Sequence, residues 1–148
     1  MREHMGLDRG KRLYNGKWIE GYYVRLFDGK GNVSHRIYSG YAETDCGEFY
    51  PDWFGVDPET VGECTGLKDK NGMLIFEGDI LKFEYTGRNM GVHGKAAVVF
   101  EHGQFGVRWG WHKDFVPLDG FCNTTVEIIG NVHDNPELLE GGAEYAAD

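Results

Sequence analysis

The run Gly78-Asp79-Ile80-Leu81-Lys82-Phe83-Glu84-Tyr85 decides the fold class. Leu81, Phe83 and Tyr85 alternate with Lys82 and Glu84. That period of two puts one set of side chains on a core and the other in water, so the run predicts a half-buried strand. Gly78 permits a tight turn into it and Asp79 caps that turn. Upstream, Lys68-Asp69-Lys70-Asn71-Gly72 is a charged, solvated hairpin tip closing on a strong turn dipeptide, and it joins a short strand at 61–65 to the segment before Gly78. Downstream, a glycine-bearing loop covers Thr86 to Gly94 and a continuous small-apolar strand covers Lys95 to Phe100. Glu101-His102-Gly103-Gln104 then turns the chain into Phe105 to Trp111, where Phe105, Val107, Trp109 and Trp111 share one face. Val116-Pro117-Leu118 leads across to a last strand, Thr124 to His133.

The N-terminal half reads less evenly. Lys17 to Phe27 and Val33 to Tyr38 predict a hairpin about the flexible turn Asp28-Gly29-Lys30-Gly31-Asn32, with Val33, His35 and Ile37 on one face. From Gly40 to Trp53 the aromatics Tyr41, Phe49, Tyr50 and Trp53 lack regular spacing and acids and Pro51 interrupt them, which predicts an irregular excursion with a short strand near Phe49. Asp57-Pro58-Glu59-Thr60 predicts a turn or a single helical turn. At the other end, Asn135 as N-cap, Pro136 at the first helical position and Glu137 near the positive end of the dipole predict a short helix through Leu138-Leu139. Gly141-Gly142 stops it, leaving a flexible tail over 141–148.

Composition agrees. The 148 residues suit one domain, and 23 glycines against 4 prolines, scattered between apolar runs, suit many short strands and tight turns. Twenty-four Asp and Glu against 15 Lys and Arg leave a formal charge of -9, which opposes the phosphate neutralisation that sequence-independent nucleic-acid binding needs. No apolar run is long enough to cross a membrane as a helix, and Met1 to Lys11 lacks the apolar core of a signal peptide, so the expected location is the cytoplasm. Cys46, Cys64 and Cys122 are odd in number and widely spaced, as reduced thiols rather than a disulfide frame.

Thr65-Gly66-Leu67-Lys68-Asp69-Lys70-Asn71-Gly72 followed by Ile75-Phe76-Glu77-Gly78-Asp79-Ile80-Leu81 closely resembles the signature of the YopX family of bacteriophages and prophages. Arg9-Gly10-Lys11-Arg12, Asn15 to Tyr22 and Asp57 to Gly62 are similar to the family's first half. Val126-Glu127-Ile128-Ile129-Gly130-Asn131-Val132 and Asp134 to Leu139 are similar to its closing strand and helix. The likeness runs in order from Arg9 to Glu140, while Met1 to Asp8 and Gly141 to Asp148 depart from it. It implies a single YopX-like domain over 1–140, a phage or prophage source in a bacterial host cell, and no established biochemical activity. It also implies an SH3-like small barrel over about 74–134, in keeping with the run of short strands from Ile75 to His133. The expected fold is therefore mainly β, with an N-terminal β-hairpin extension and a short C-terminal helix.

No catalytic pattern stands out. His93, His102, His112 and His133 fall at no ligand spacing, so neither metal nor cofactor is expected. Cys64 lies in a predicted strand as a small apolar residue, and Glu77 with Asp79 has the spacing of any solvated strand edge. There is neither a nucleophile motif nor a phosphate-binding glycine loop, so the chain does not read as an enzyme. The candidate partner-binding residues are Arg108, Trp109, Trp111 and His112 on one strand, with Tyr85 on a neighbour. Either an indole at the strand end anchors an interface, or both tryptophans fill the core. The expectation is a non-catalytic module that binds a host or phage protein or assembles with itself. The alternative is a nucleic-acid-associated barrel of phage replication or regulation. Self-assembly as a homo-oligomer draws on the N-terminal half, whose aromatics show too few regular strands for a core of their own.

Overall fold

The computed structural model describes residues 6–43, 45–47, 49–85, 92–109, 112–118 and 124–139, and over these the chain is almost entirely antiparallel β-sheet. It divides into two compact units, Met1–Cys64 and Thr65–Asp148. Trp111, Cys122, most of the loop after Tyr85 and the tail from Gly141 lie outside the described residues.

The first unit contains β1 (Asp8–Lys11), β2 (Trp18–Phe27), β3 (Val33–Glu43), β4 (Phe49–Gly55) and the start of β5 (Gly62–Lys68), in the sheet order β4-β3-β2-β1-β5. The β2–β3 turn closes as its residues predict, because the Asp28 carboxylate accepts the N–H of Lys30 at 2.7 Å and of Asn32 at 3.1 Å. Two expectations are corrected here. The stretch from Gly40 to Trp53 is not irregular: β3 continues to Glu43 and β4 returns alongside it. The register shifts between Tyr38 and Gly40, and Gly40 takes φ 140°, a left-handed value that glycine tolerates. That one-residue bulge exchanges the two faces of β3, which is why the aromatics lose their spacing. The second correction concerns the core. Ile19, Ile37 and Val56 are buried together with Tyr23, Phe54 and Val61 packed on them, so this half does close a small core of its own.

The second unit takes up β5 and its partner β6 (Leu74–Phe76), then β7 (Asp79–Tyr85), β8 (Val92–Glu101), β9 (Gln104–Trp109), β10 (Asp114–Pro117) and β11 (Thr124–Asn131). The last five form one sheet in the order β10-β9-β8-β7-β11. Leu81 and Phe83 are buried and Lys82 and Glu84 exposed, as the alternation predicts. Ile75, Leu81 and Val98 form one core cluster, and Phe83, Ala96 and Val107 another. Among the described residues the ladder stays open between β10 and β11, so the strands form an open sheet where a closed barrel was expected. A single 3-10 turn, Pro136–Leu139, stands where a short helix was expected.

Two buried aspartates fasten this unit. Asp79, 1% exposed, accepts the N–H of Phe76 at 2.8 Å across the turn that Gly78 makes at φ 91°. Asp69 lies at the hairpin tip read as solvated, yet it is 7% exposed. One of its oxygens accepts Asn71 N–H at 2.9 Å and Met73 N–H at 3.0 Å; the other accepts Ile128 N–H at 3.1 Å from β11. Lys70 adds a backbone bond to Val126 at 2.9 Å and an ion pair to Glu127 at 3.2 Å. Burial alone would raise the Asp69 carboxyl. The hydrogen bonds from Ile128, Met73 and Asn71, with the Lys70 charge, outweigh it and hold the group below the usual carboxylate range.

Candidate interaction surfaces

The residues singled out in the sequence do not meet as one exposed aromatic patch among the described residues. Trp109 turns inward, packed on the cluster of Phe83, Ala96 and Val107, with its ring 5.1 Å from Phe83 at 79°. It has room because β8 carries Gly94 beneath it, where a Cβ would strike both the indole nitrogen and the Phe83 ring. Arg108 points outward but is engaged. Nε and Nη2 donate to the two carboxylate oxygens of Glu101 at 2.8 and 2.6 Å, and Nη1 donates to the Lys113 carbonyl at 3.0 Å. That bond to Glu101 raises the already high Arg108 value and lowers that of Glu101, so the pair ties the ends of the β8–β9 hairpin to the turn before β10. His112 is exposed in that turn. Tyr85 ends β7 opposite Thr124 and Val92, its side chain outside the described residues like the whole of Trp111.

A different surface emerges on the first sheet. The core takes Ile19, Gly21 and Tyr23 of β2 and Ile37 of β3, so Trp18, Tyr22, Arg36 and Tyr38 fall on the opposite face. The register places Tyr22 beside Tyr38, and Tyr38 beside Trp53 of β4, which lines three aromatic rings across three strands. Tyr22 is 57% exposed and Trp53 43%. The Arg36 guanidinium lies 3.7 Å from the centre of the Trp53 ring and donates from Nε to the Ser34 hydroxyl at 3.0 Å. Toward β1, Arg9 and Lys11 stand 4.8 and 5.5 Å from the Trp18 ring. Each cation over an aromatic face gains electrostatic attraction and immobilises the ring, so these side chains are held before any partner arrives. Sequence reasoning missed this surface because its members come from four strands. The available signal was the even-numbered series Trp18, Tyr22, Arg36 and Tyr38, legible once Ile19 and Ile37 mark the core side.

Beneath the sheet, Asp8 of β1 is half-buried and accepts Tyr23 N–H at 3.1 Å. Burial raises its carboxyl, the Tyr23 bond opposes this, and the neighbouring Glu63 charge on β5 raises it further; the net result is an elevated value. Tyr23 Oη also meets His35 Nδ1 at 2.6 Å, with the two rings stacked. Among the described residues, no three His, Cys, Asp or Glu side chains converge to hold a metal ion, and no helix is long and apolar enough to cross a membrane.

Fold and surfaces define a small, mainly β protein of two antiparallel sheets. The YopX protein family matches residues 9–140, and the chain belongs to that family. Among solved structures it is similar to the protein EF1440 from Enterococcus faecalis, with 26% identity and a TM-score of 0.57 over 90% of this chain and 96% of that one. It also shares its fold with yopX from Bacillus subtilis, at 19% identity and a TM-score of 0.54 over 95% of this chain and all of the other. No curated protein matches the chain significantly.

Proposed function

We propose that this chain is a non-catalytic interaction module encoded by a bacteriophage or prophage and working in the bacterial cytoplasm. The outer face of its first sheet docks onto a protein partner or a second copy of the chain. The observation that carries this reading is the row Tyr22, Tyr38 and Trp53, two of the three well exposed and Trp53 held under Arg36. Rigid aromatics with neighbouring arginine are the side chains that contribute most per residue at protein interfaces. Arg9, Lys11 and Arg36 outnumber Glu20 on this face in a chain of formal charge -9, so the complementary surface is acidic, a property that the chain's own remaining surface also has. The second unit we read as an SH3-like small barrel left open between its end strands, a reading supported by the order β11-β7-β8-β9-β10.

The test is affinity capture from the lysate of the natural host with wild type and the Tyr22→Ala/Trp53→Ala variant in parallel, alongside measurement of molar mass in solution. A protein retained by wild type and lost with the variant, or a mass above 16.7 kDa that the variant returns to 16.7 kDa, supports the reading. A wild type that stays monomeric and retains nothing the variant loses overturns it.

A further inference from the structure

We propose that the outer face of the second sheet holds a phosphate-binding site centred on Lys82 and Lys95. The two lysines are direct cross-strand partners on β7 and β8, where like charges destabilise a ladder. No neighbouring carboxylate forms an ion pair with either. Glu127, the other cross-strand neighbour of Lys82, bonds to Lys70 at 3.2 Å, and Glu84 lies 3.6 Å from His93, an ion pair only when that imidazole is protonated; both carboxylates border a small recess with Lys82 without pairing to it. Among the described residues neither Lys82 nor Lys95 has an ion pair, although the chain has 24 acidic side chains to draw on. A bound anion would supply the missing countercharge.

There is also space for one. A depression of about 290 Å³ is lined by Lys82, His93, Gly94, Lys95 and Ile129. A second, of about 230 Å³, has Lys95 in its wall as well, together with Lys113, Arg108 and the small side chains Ala96 and Ala97. Lysine presents rotatable donors on a point charge, which suits a tetrahedral phosphate. The planar guanidinium fork that would grip a carboxylate, that of Arg108, is already closed on Glu101. Two sources of phosphate fit: a free phosphate or phosphomonoester in the first depression, or the backbone of a single-stranded nucleic acid lying along β8 through both. This site is separate from the aromatic face of the first sheet and does not depend on it.

The experiment is a titration of the whole chain followed through its backbone amide NMR signals. Inorganic phosphate, a short single-stranded oligothymidylate and sodium chloride at matched ionic strength are added in separate arms. Phosphate is expected to shift the amides of Lys82, Gly94, Lys95 and Ile129 where chloride does not, and Lys82→Gln/Lys95→Gln is expected to weaken that binding about tenfold or more. Lys95→Glu, which pairs with Lys82 in place of repelling it, should fold and abolish binding. An oligonucleotide that binds more tightly than phosphate and also shifts Lys113 assigns the polymer as the source; one no tighter than phosphate assigns the free anion. Shifts that chloride reproduces, or affinity that survives in both variants, overturn the site. An acidic peptide that binds there more tightly than phosphate overturns the choice of ligand.

Discussion

The two units use similar strands to opposite ends. In the second, the aromatic side chains Phe83 and Trp109 go inward, over a glycine that makes room for them, and two buried aspartates accept backbone N–H groups, Asp79 from the adjacent turn and Asp69 from its own tip and from β11. In the first, the buried cluster is three aliphatic residues with Tyr23 and Phe54 only half-buried against them, while Trp18, Tyr22, Tyr38 and Trp53 stand on the face away from it, Trp18 and Trp53 under cations. Aromatic content alone does not locate a binding surface. What matters is which face the small aliphatic residues claim. Where they take one side of a sheet, the large rings on the other side are left for cations and partners.

The largest effect should come from the second unit's core. Phe83→Ala removes a ring that is 2% exposed and leaves Trp109 without its edge contact, so denaturant unfolding should show a loss of about 3–5 kcal/mol. A loss below that of a surface substitution would deny the contrast between inward and outward rings. Next comes Asp69→Ala. It strands three backbone donors at the junction of the hairpin tip with β11, and should cost about 1–3 kcal/mol in the same assay.

That junction also shows what a sequence withholds. Gly78 to Tyr85 was readable because its alternation, its turn glycine and its cap are neighbours along the chain. So were the β2–β3 hairpin and the Asn71-Gly72 turn, where Gly72 takes φ 80°. Asp69 looked like a solvated tip residue because the donor that draws it inward, Ile128, lies 59 residues away. Gly40 to Trp53 looked irregular because a bulge reverses alternation and leaves only a glycine to mark it. Of the candidate site, Trp109 and Arg108 were visible as residue types, but whether they face a core or a Glu101 carboxylate depends on strand pairing that local pattern does not carry.

At acid pH the two units respond with opposite sign. Asp69 is held below its ordinary value of 3.8, so its contribution is present above that pH and is lost as pH falls through the lower folded value. Asp8 is raised above 3.8, so its ionisation costs the folded state, and the cost is relieved as pH falls through the folded value toward 3.8. Asp8→Asn should therefore raise stability at neutral pH by a few tenths of a kcal/mol, the group being partly solvated, and flatten the pH profile of the first unit between its folded value and 3.8. A melting profile that Asp8→Asn leaves unchanged at every pH would remove that half of the contrast.

Most direct is a paired reading on Tyr22→Ser/Trp53→Ser: its melting temperature and its association, with itself by light scattering and with whatever partner wild type retains. An outward-facing adhesive row predicts that association disappears while melting shifts by no more than a few degrees, since Tyr22 is 57% and Trp53 43% exposed and neither belongs to the buried cluster. Association that persists unchanged, or a collapse in melting temperature as large as that of Phe83→Ala, would contradict it.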